Sequence, residues 1–351
     1  MVNDSGGIDR EVRERCRPDG SSSLLARSSA AKLCRARKAC PHPPQADEGR
    51  SPLPLDSDGF KHEYATINHA LSGVEGGLRY HYVREGSGPP LLLVHGWPGF
   101  YYEWHLNIGP LSQHLEVVVP DMRGYAYTDK PDLTPEVGYT PEVFAEDIRA
   151  LLDHLGWQKA NIVTHDFGAV WVQQFARTYR DRLEKLVLFD PPYAGIGMRW
   201  MEPGHVPQTW YQMFHQLPWA EELVGSSRRA TELYVRHFLS HWSYDKDLWT
   251  DDEITEYVEA FSQPGALRGG FNCYRAAFRT MGRGQQGDPK IYAPTLVLWA
   301  DSDAVLPLAW SDKLGDFFPN LTFRKVEQAG HFLMREKPEL VNPAITDFVL
   351  G

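Results

Sequence analysis

The chain has 351 residues, 42% hydrophobic and 23% charged, the make-up of an ordinary globular protein with room for one large α/β domain and an insertion. A net charge of −10 argues against the basic face of a nucleic-acid binder. No apolar run approaches the roughly 18 residues of a membrane-spanning helix.

Residues 1–58 are rich in Ser, Arg, Pro and Gly without lasting apolar periodicity, and read as a disordered tail. Arg27 and Lys32 interrupt the apolar core a secretory signal needs, and acidic residues among the basic ones argue against a transit peptide. Cys16, Cys34 and Cys40 match no zinc spacing, and Cys273 is alone in the body of the chain, which favours a reducing, cytoplasmic setting.

From Phe60 onward strands and helices alternate. Leu78–Arg84 alternates in polarity and reads as an outer strand. Short apolar runs at Leu91–His95, Glu116–Pro120, Asn161–His165, Leu186–Phe189, Thr295–Trp299 and Thr322–Val326 read as buried parallel strands. Thr140 and Pro141 open a helix that aligns Phe144, Ile148, Leu151, Leu152 and Leu155 and stops at Gly156. The alternation implies a mostly parallel sheet flanked by helices. Between Asp190 and Thr295 the pattern turns helical and aromatic, which predicts a helical cap inserted after the sixth strand. The expected organisation is an α/β core over residues 59–194 and 286–351, with the cap over 195–285.

Three local patterns carry chemistry. Thr164-His165-Asp166-Phe167-Gly168 lies between a strand and a helix, the setting of a nucleophile elbow with Asp166 in the nucleophile's place. An Asp there also suits a helix cap, so the pentapeptide alone does not decide. His95-Gly96-Trp97-Pro98-Gly99 leaves an earlier strand, and its Trp97 amide with that of Phe167 would form an oxyanion hole. Ala329-Gly330-His331-Phe332 follows the last strand, where the base belongs. The acid has two candidates. Asp303 after one strand is favoured, Asp190 after another is the lesser choice, and Asp301 reads as a solvated turn residue.

Together these motifs resemble the α/β-hydrolase superfamily, in its epoxide hydrolase and dehalogenase branch, over about Tyr64 to Phe348. Pro120-Asp121-Met122-Arg123-Gly124-Tyr125 and Glu336-Lys337-Pro338-Glu339 are similar to further stretches of that branch. Two cap patterns, Tyr211-Gln212 and Tyr274-Arg275, resemble those of epoxide hydrolases. The resemblance implies an epoxide hydrolase with Asp166 as nucleophile, His331 as base, Asp303 as acid, and Tyr211 and Tyr274 as donors to the opening oxygen. Trp210, Phe214 and Pro98 are the expected substrate contacts, and Trp219 and Phe271 add to an apolar cap. Phe167, in place of Arg or Trp, lowers the haloacetate and haloalkane dehalogenase readings. A non-catalytic small-molecule receptor ranks lower still, because all the catalytic groups are present. No cofactor or metal is implied. The partners implied are a small apolar epoxide and water, and a homodimer is compatible with the reading.

Overall fold

The computed structural model describes residues 59–280 and 289–351. The tail reading for 1–58 and the cap boundary at 285 lie outside the described residues. Eight strands form one sheet in the order β1-β2-β4-β3-β5-β6-β7-β8. In chain order they are β1 (His62–Ile67), β2 (Leu78–Glu85), β3 (Pro90–Val94), β4 (Glu116–Pro120), β5 (Ala160–His165), β6 (Leu183–Phe189), β7 (Thr295–Ala300) and β8 (Leu321–Val326). β1–β2 and β2–β4 are antiparallel, and every later pairing is parallel.

β3, β5 and β7 are buried almost throughout, as strands covered on both faces must be. The helix Pro141–His154 packs beside the helix Phe167–Thr178, with Phe144 stacked on Trp171 at 4.1 Å between ring centroids. Thr140 precedes the first of these in extended conformation, but its side chain makes no cap bond.

Two strand readings are corrected. Leu78–Arg84 is not outermost, because β1 pairs along its free edge. β1 left little trace in the sequence, since only Ala65 and Ile67 are buried in it. β8 is not a buried strand either. It is the far edge, and residues 322–325, including Arg324 and Lys325, face solvent.

Between β6 and β7 every regular element among the described residues is helical. The longer helices are Arg228–Trp242, Asp251–Ser262 and Ala266–Thr280. The first is capped by the Ser227 side chain, and the second by a reciprocal Thr250–Glu253 capping box. Glu253 also pairs with Arg335 at 2.5 Å, which ties this helix to the segment just past His331.

Two backbone contacts fix the helical segment over the strand ends. A Cβ on Gly269 would come within 2.1 Å of the Gly124 carbonyl oxygen, so the helix Ala266–Thr280 touches the loop after β4 backbone to backbone. The His331 amide donates to the Trp242 carbonyl at 2.9 Å, so the helix Arg228–Trp242 ends against the loop after β8.

Candidate active site

β5 ends at His165, and the chain turns sharply into the next helix. Asp166 makes that turn with φ +44° and ψ −122°, which an L residue adopts only under strain. The turn is tight on both sides. A Cβ on Gly168 would meet the His95 carbonyl at 2.4 Å and Thr164 Oγ1 at 2.5 Å, and one on Gly96 would meet Asp166 Cβ at 2.7 Å. Only glycine fits at either place, and the loop after β3 is thereby held against Asp166. Thr164, bulkier than the usual glycine of such an elbow, fits because it is residue 168 that makes the close approach.

The Trp97 amide donates to Asp166 Oδ2 at 3.1 Å, and the Phe167 amide acts on the same carboxylate. Burial pushes the Asp166 carboxyl up from its ordinary value, while His331, His165 and the two amides pull it back part of the way.

His331 is fully buried and lies on the other side of the carboxylate. Its Nε2 is 4.0 Å from Asp166 Oδ1, and its Nδ1 donates to Asp303 Oδ2 at 2.7 Å. Asp303 Oδ1 accepts from the Val305 and Leu306 amides, which fixes the carboxylate's direction. Burial disfavours a charged imidazole, but the carboxylates of Asp303 and Asp166 outweigh it and raise His331 to about 9. It is thus Asp303 that bonds His331. Asp190 instead accepts from the Ala300 amide at 2.8 Å, and burial with the nearby Asp303 charge drives its pKa well up. Asp301 accepts from the neighbouring Ser302 hydroxyl and from the Gln328 and Ala329 backbone, and has no bond to His331 among those described.

Two phenols close the site from the helical side. Tyr211 stacks on Trp97, centroids 5.3 Å apart and 6° from parallel. Tyr274 meets Trp97 and Phe167 edge-on at 5.6 and 4.9 Å. The rings of Tyr211 and Tyr274 are 5.5 Å apart. Burial raises both phenols first, followed by the Asp166 charge for Tyr211 and by the Tyr211 phenol and then Asp166 for Tyr274, so both stay protonated donors.

The remaining expected contacts separate. Pro98 is buried beside Trp97. Trp210 is 41% exposed, and with half-buried Phe214 it makes its ring contacts with His215, Trp219, Tyr234, His237, Phe238 and Phe271, and neither ring touches Trp97 or Phe167 among the contacts described. Residues four apart share a helix face, so Tyr211 and His215 take the inward face and Trp210 and Phe214 the other.

Sequence reasoning gave no role to three residues at the site. Glu336 accepts from the Gly330, Phe332 and Tyr244 amides and so holds the His331 turn and the end of the helix Arg228–Trp242 together. Glu103 and His165 are buried beside the site and bond to each other at 3.0 Å. Nothing in the sequence marks that pair beyond the place of His165 immediately before Asp166. Among the described residues no three His, Cys, Asp or Glu side chains converge as a metal site.

An aspartate on the elbow after β5, a second aspartate after β7 and a histidine after β8, on a sheet of this order, define a hydrolase of the α/β type. The model of the alpha/beta hydrolase fold family matches residues 89–338, and the chain belongs to that family. Its relatives include the soluble epoxide hydrolase of Corynebacterium sp. strain C12, 32% identical over 300 residues that cover 81% of this chain and 96% of that protein. Human epoxide hydrolase 4 is 30% identical over 284 residues, 78% of this chain and 76% of its own length. The solved structure of the epoxide hydrolase CorEH without ligand superposes with a TM-score of 0.71 at 30% identity, covering 83% of this chain and 99% of that one. Within its family the chain is epoxide-hydrolase-like. No helix among the described residues is long and apolar enough to cross a membrane.

Proposed function

We propose that this protein opens epoxides to vicinal diols through an ester of Asp166. The observation that carries the reading is the gathering of two kinds of group around Trp97 and Phe167. One is a carboxylate held by the Trp97 amide, and the other is a pair of phenols that pack on the Trp97 and Phe167 rings and feel the Asp166 charge. Epoxide opening needs a nucleophile at carbon and a proton donor at oxygen at the same moment, from opposite directions.

Asp166 is the nucleophile and needs no base to activate it. Attack forms the carboxylate–carbon bond and breaks the carbon–oxygen bond of the ring. Tyr211 and Tyr274 stabilise the leaving oxygen, one of them supplying its proton. His331 then takes a proton from water, the hydroxyl adds to the ester carbonyl, and the amides of Trp97 and Phe167 hold the oxyanion, each contributing about 3 kcal/mol. Collapse releases the diol, and the proton left over restores the phenol. In this scheme the helical segment between β6 and β7 is the cap, and Pro98 borders the substrate.

Intact mass of the His331→Gln variant tests the reading, using styrene oxide, an aliphatic epoxide, a haloalkane and a haloacetate. A gain equal to a whole epoxide, located on Asp166, supports it. A gain equal to substrate less hydrogen halide selects a dehalogenase, and no adduct with folded protein points to a receptor.

A further inference from the structure

The mechanism above leaves two buried titratable side chains unused. Glu103, on the turn Tyr101–Trp104 after the Trp97 loop, is 2% exposed, and His165, the last residue of β5, is fully buried. His165 Nδ1 lies 3.0 Å from Glu103 Oε1, while His165 Nε2 and Glu103 Oε2 have no partner among the described residues. The histidine stands beside the proposed base, with its ring centroid 4.5 Å from that of His331 and the planes tilted by 57°. His331 Nε2 is likewise buried without a hydrogen-bond partner.

Buried polar atoms of this kind are rarely left unpaired, and two Nε2 atoms on adjoining rings point to a ligand held in common. The two histidines have the same wiring. Each gives its Nδ1 hydrogen to a buried carboxylate, Asp303 for His331 and Glu103 for His165. A neutral imidazole that donates from Nδ1 has an acceptor lone pair at Nε2. A water has two hydrogens to give and needs two to four partners in a buried site.

We propose that His165, braced by Glu103, holds the hydrolytic water jointly with His331 for attack on the Asp166 ester. This rests on the epoxide-opening reading and deepens its second step. The water donates one hydrogen to each Nε2, which leaves an oxygen lone pair for the ester carbonyl carbon. As the oxygen–carbon bond forms, the proton facing His331 passes to that ring. The proton facing His165 stays on the new hydroxyl. Collapse of the tetrahedral intermediate breaks the bond to the diol oxygen, which takes the proton from His331. The hydroxyl hydrogen leaves with the regenerated carboxyl and replaces the one lost by the phenol. Glu103 is a positioning residue, fixing the tautomer and direction of the His165 ring.

The arrangement matters only after the ester exists, so it separates the two half-reactions. Single-turnover rapid quench with styrene oxide, read by intact mass, measures ester formation and ester decay independently. In His165→Phe, formation stays within about threefold of wild type while decay slows about thirtyfold, so the ester accumulates in the steady state. His165→Gln, whose amide oxygen still accepts a hydrogen from water, recovers most of that loss. Glu103→Gln slows decay about fivefold and leaves formation unchanged. Equal effects on both steps, or none on decay, overturn the proposal and leave His165 a packing residue. Should His165→Phe not fold, His165→Gln and Glu103→Gln carry the same comparison, each expected to slow decay more than formation. The His331→Gln variant run alongside separates the two readings. An epoxide adduct there with normal decay in the His165 variants defeats only this proposal, and no adduct there defeats the epoxide-opening reading beneath it.

Discussion

His331 Nε2 stops 4.0 Å short of Asp166 Oδ1, too far for a hydrogen bond but close enough for each charge to govern the other. The Asp166 carboxylate is one of the causes that raise His331 to about 9, so in the free protein at neutral pH the imidazole is mostly protonated and not yet a base. Converting Asp166 to an ester removes that charge. The imidazole pKa then falls, and the base is switched on by the step that creates its substrate. The rate of ester decay should therefore rise with pH through an apparent pKa below about 9, while ester formation shows no such limb. Rapid-quench measurements across pH check this. Decay that is flat with pH through neutrality would contradict it.

The same raised pKa ties stability to pH. A histidine whose folded-state pKa lies above its unfolded value stabilises the fold when protonated. That contribution is full below about 6.5 and is lost as pH rises through about 9. Wild type should lose stability over this window by no more than about 3 kcal/mol relative to His331→Gln. Urea titrations of both proteins at the two ends of the window measure the difference.

The paired phenols predict a steep double-mutant effect. Tyr211→Phe or Tyr274→Phe each leaves one donor, and ester formation should slow by about 10- to 100-fold. The double variant should nearly abolish it, while decay of any ester formed stays within a few-fold of wild type. A double variant with wild-type turnover would remove both tyrosines from the mechanism.

What could be read in the sequence, and what could not, follows from the range over which each feature is written. Asp166 and His331 sit in short motifs with a glycine beside them, Gly168 and Gly330, where an added Cβ would strike the backbone of His95 and of Trp242, so a few residues suffice to mark them. Asp303 against Asp190 was harder, because both end strands. What separates them is a bond across 28 residues to His331. The Glu103–His165 pair spans 62 residues and joins two polar side chains inside the core, which no periodicity announces. Trp210 and Phe214 are expected at the substrate as aromatics of the cap. A five-residue helix is too short to show which face is inward, and the inward face is that of Tyr211 and His215. The edge strands β1, for which the sequence offers no reading, and β8, read as buried, are obscure for a related reason, since an edge strand with one covered face or none carries a weak apolar pattern.

Glu336 predicts a coupling between stability and catalysis. Its carboxylate accepts from the Gly330, Phe332 and Tyr244 amides at 3.0, 3.2 and 2.8 Å. Glu336→Ala leaves these donors unpaired and should cost about 2–3 kcal/mol in denaturant unfolding. Because Gly330 and Phe332 flank the base, ester decay should slow more than formation. Glu336→Gln keeps one acceptor oxygen and should fall between the two. A variant destabilised by this amount with both steps unchanged would show that the turn holds its shape without the carboxylate.

Gly269 tests whether the helix that carries Tyr274 is positioned by its contact with the core. The backbone at Gly269 lies so close to Gly124 that an added Cβ would come within 2.1 Å of the Gly124 carbonyl oxygen and 2.6 Å of its Cα. Neither is a flexible side chain that can swing aside, so Gly269→Ala must push the helix Ala266–Thr280 outward. Overpacking of this kind costs about 1–3 kcal/mol. Alanine is otherwise the better helix former by about 1 kcal/mol, so the cost seen in unfolding should be smaller than the clash alone implies. Tyr274 lies five residues further along the same helix and moves with it, away from Phe167 and Asp166. Ester formation should slow about tenfold or more. Ester decay depends on His331 and Asp303, which the helix does not carry, and should be nearly unchanged. Gly269→Ser should behave alike, since its Cβ meets the same oxygen. If formation and decay fell together, the substitution would have disturbed the sheet-end loops as a whole, and Gly124–Gly269 would not be the contact that sets the place of Tyr274.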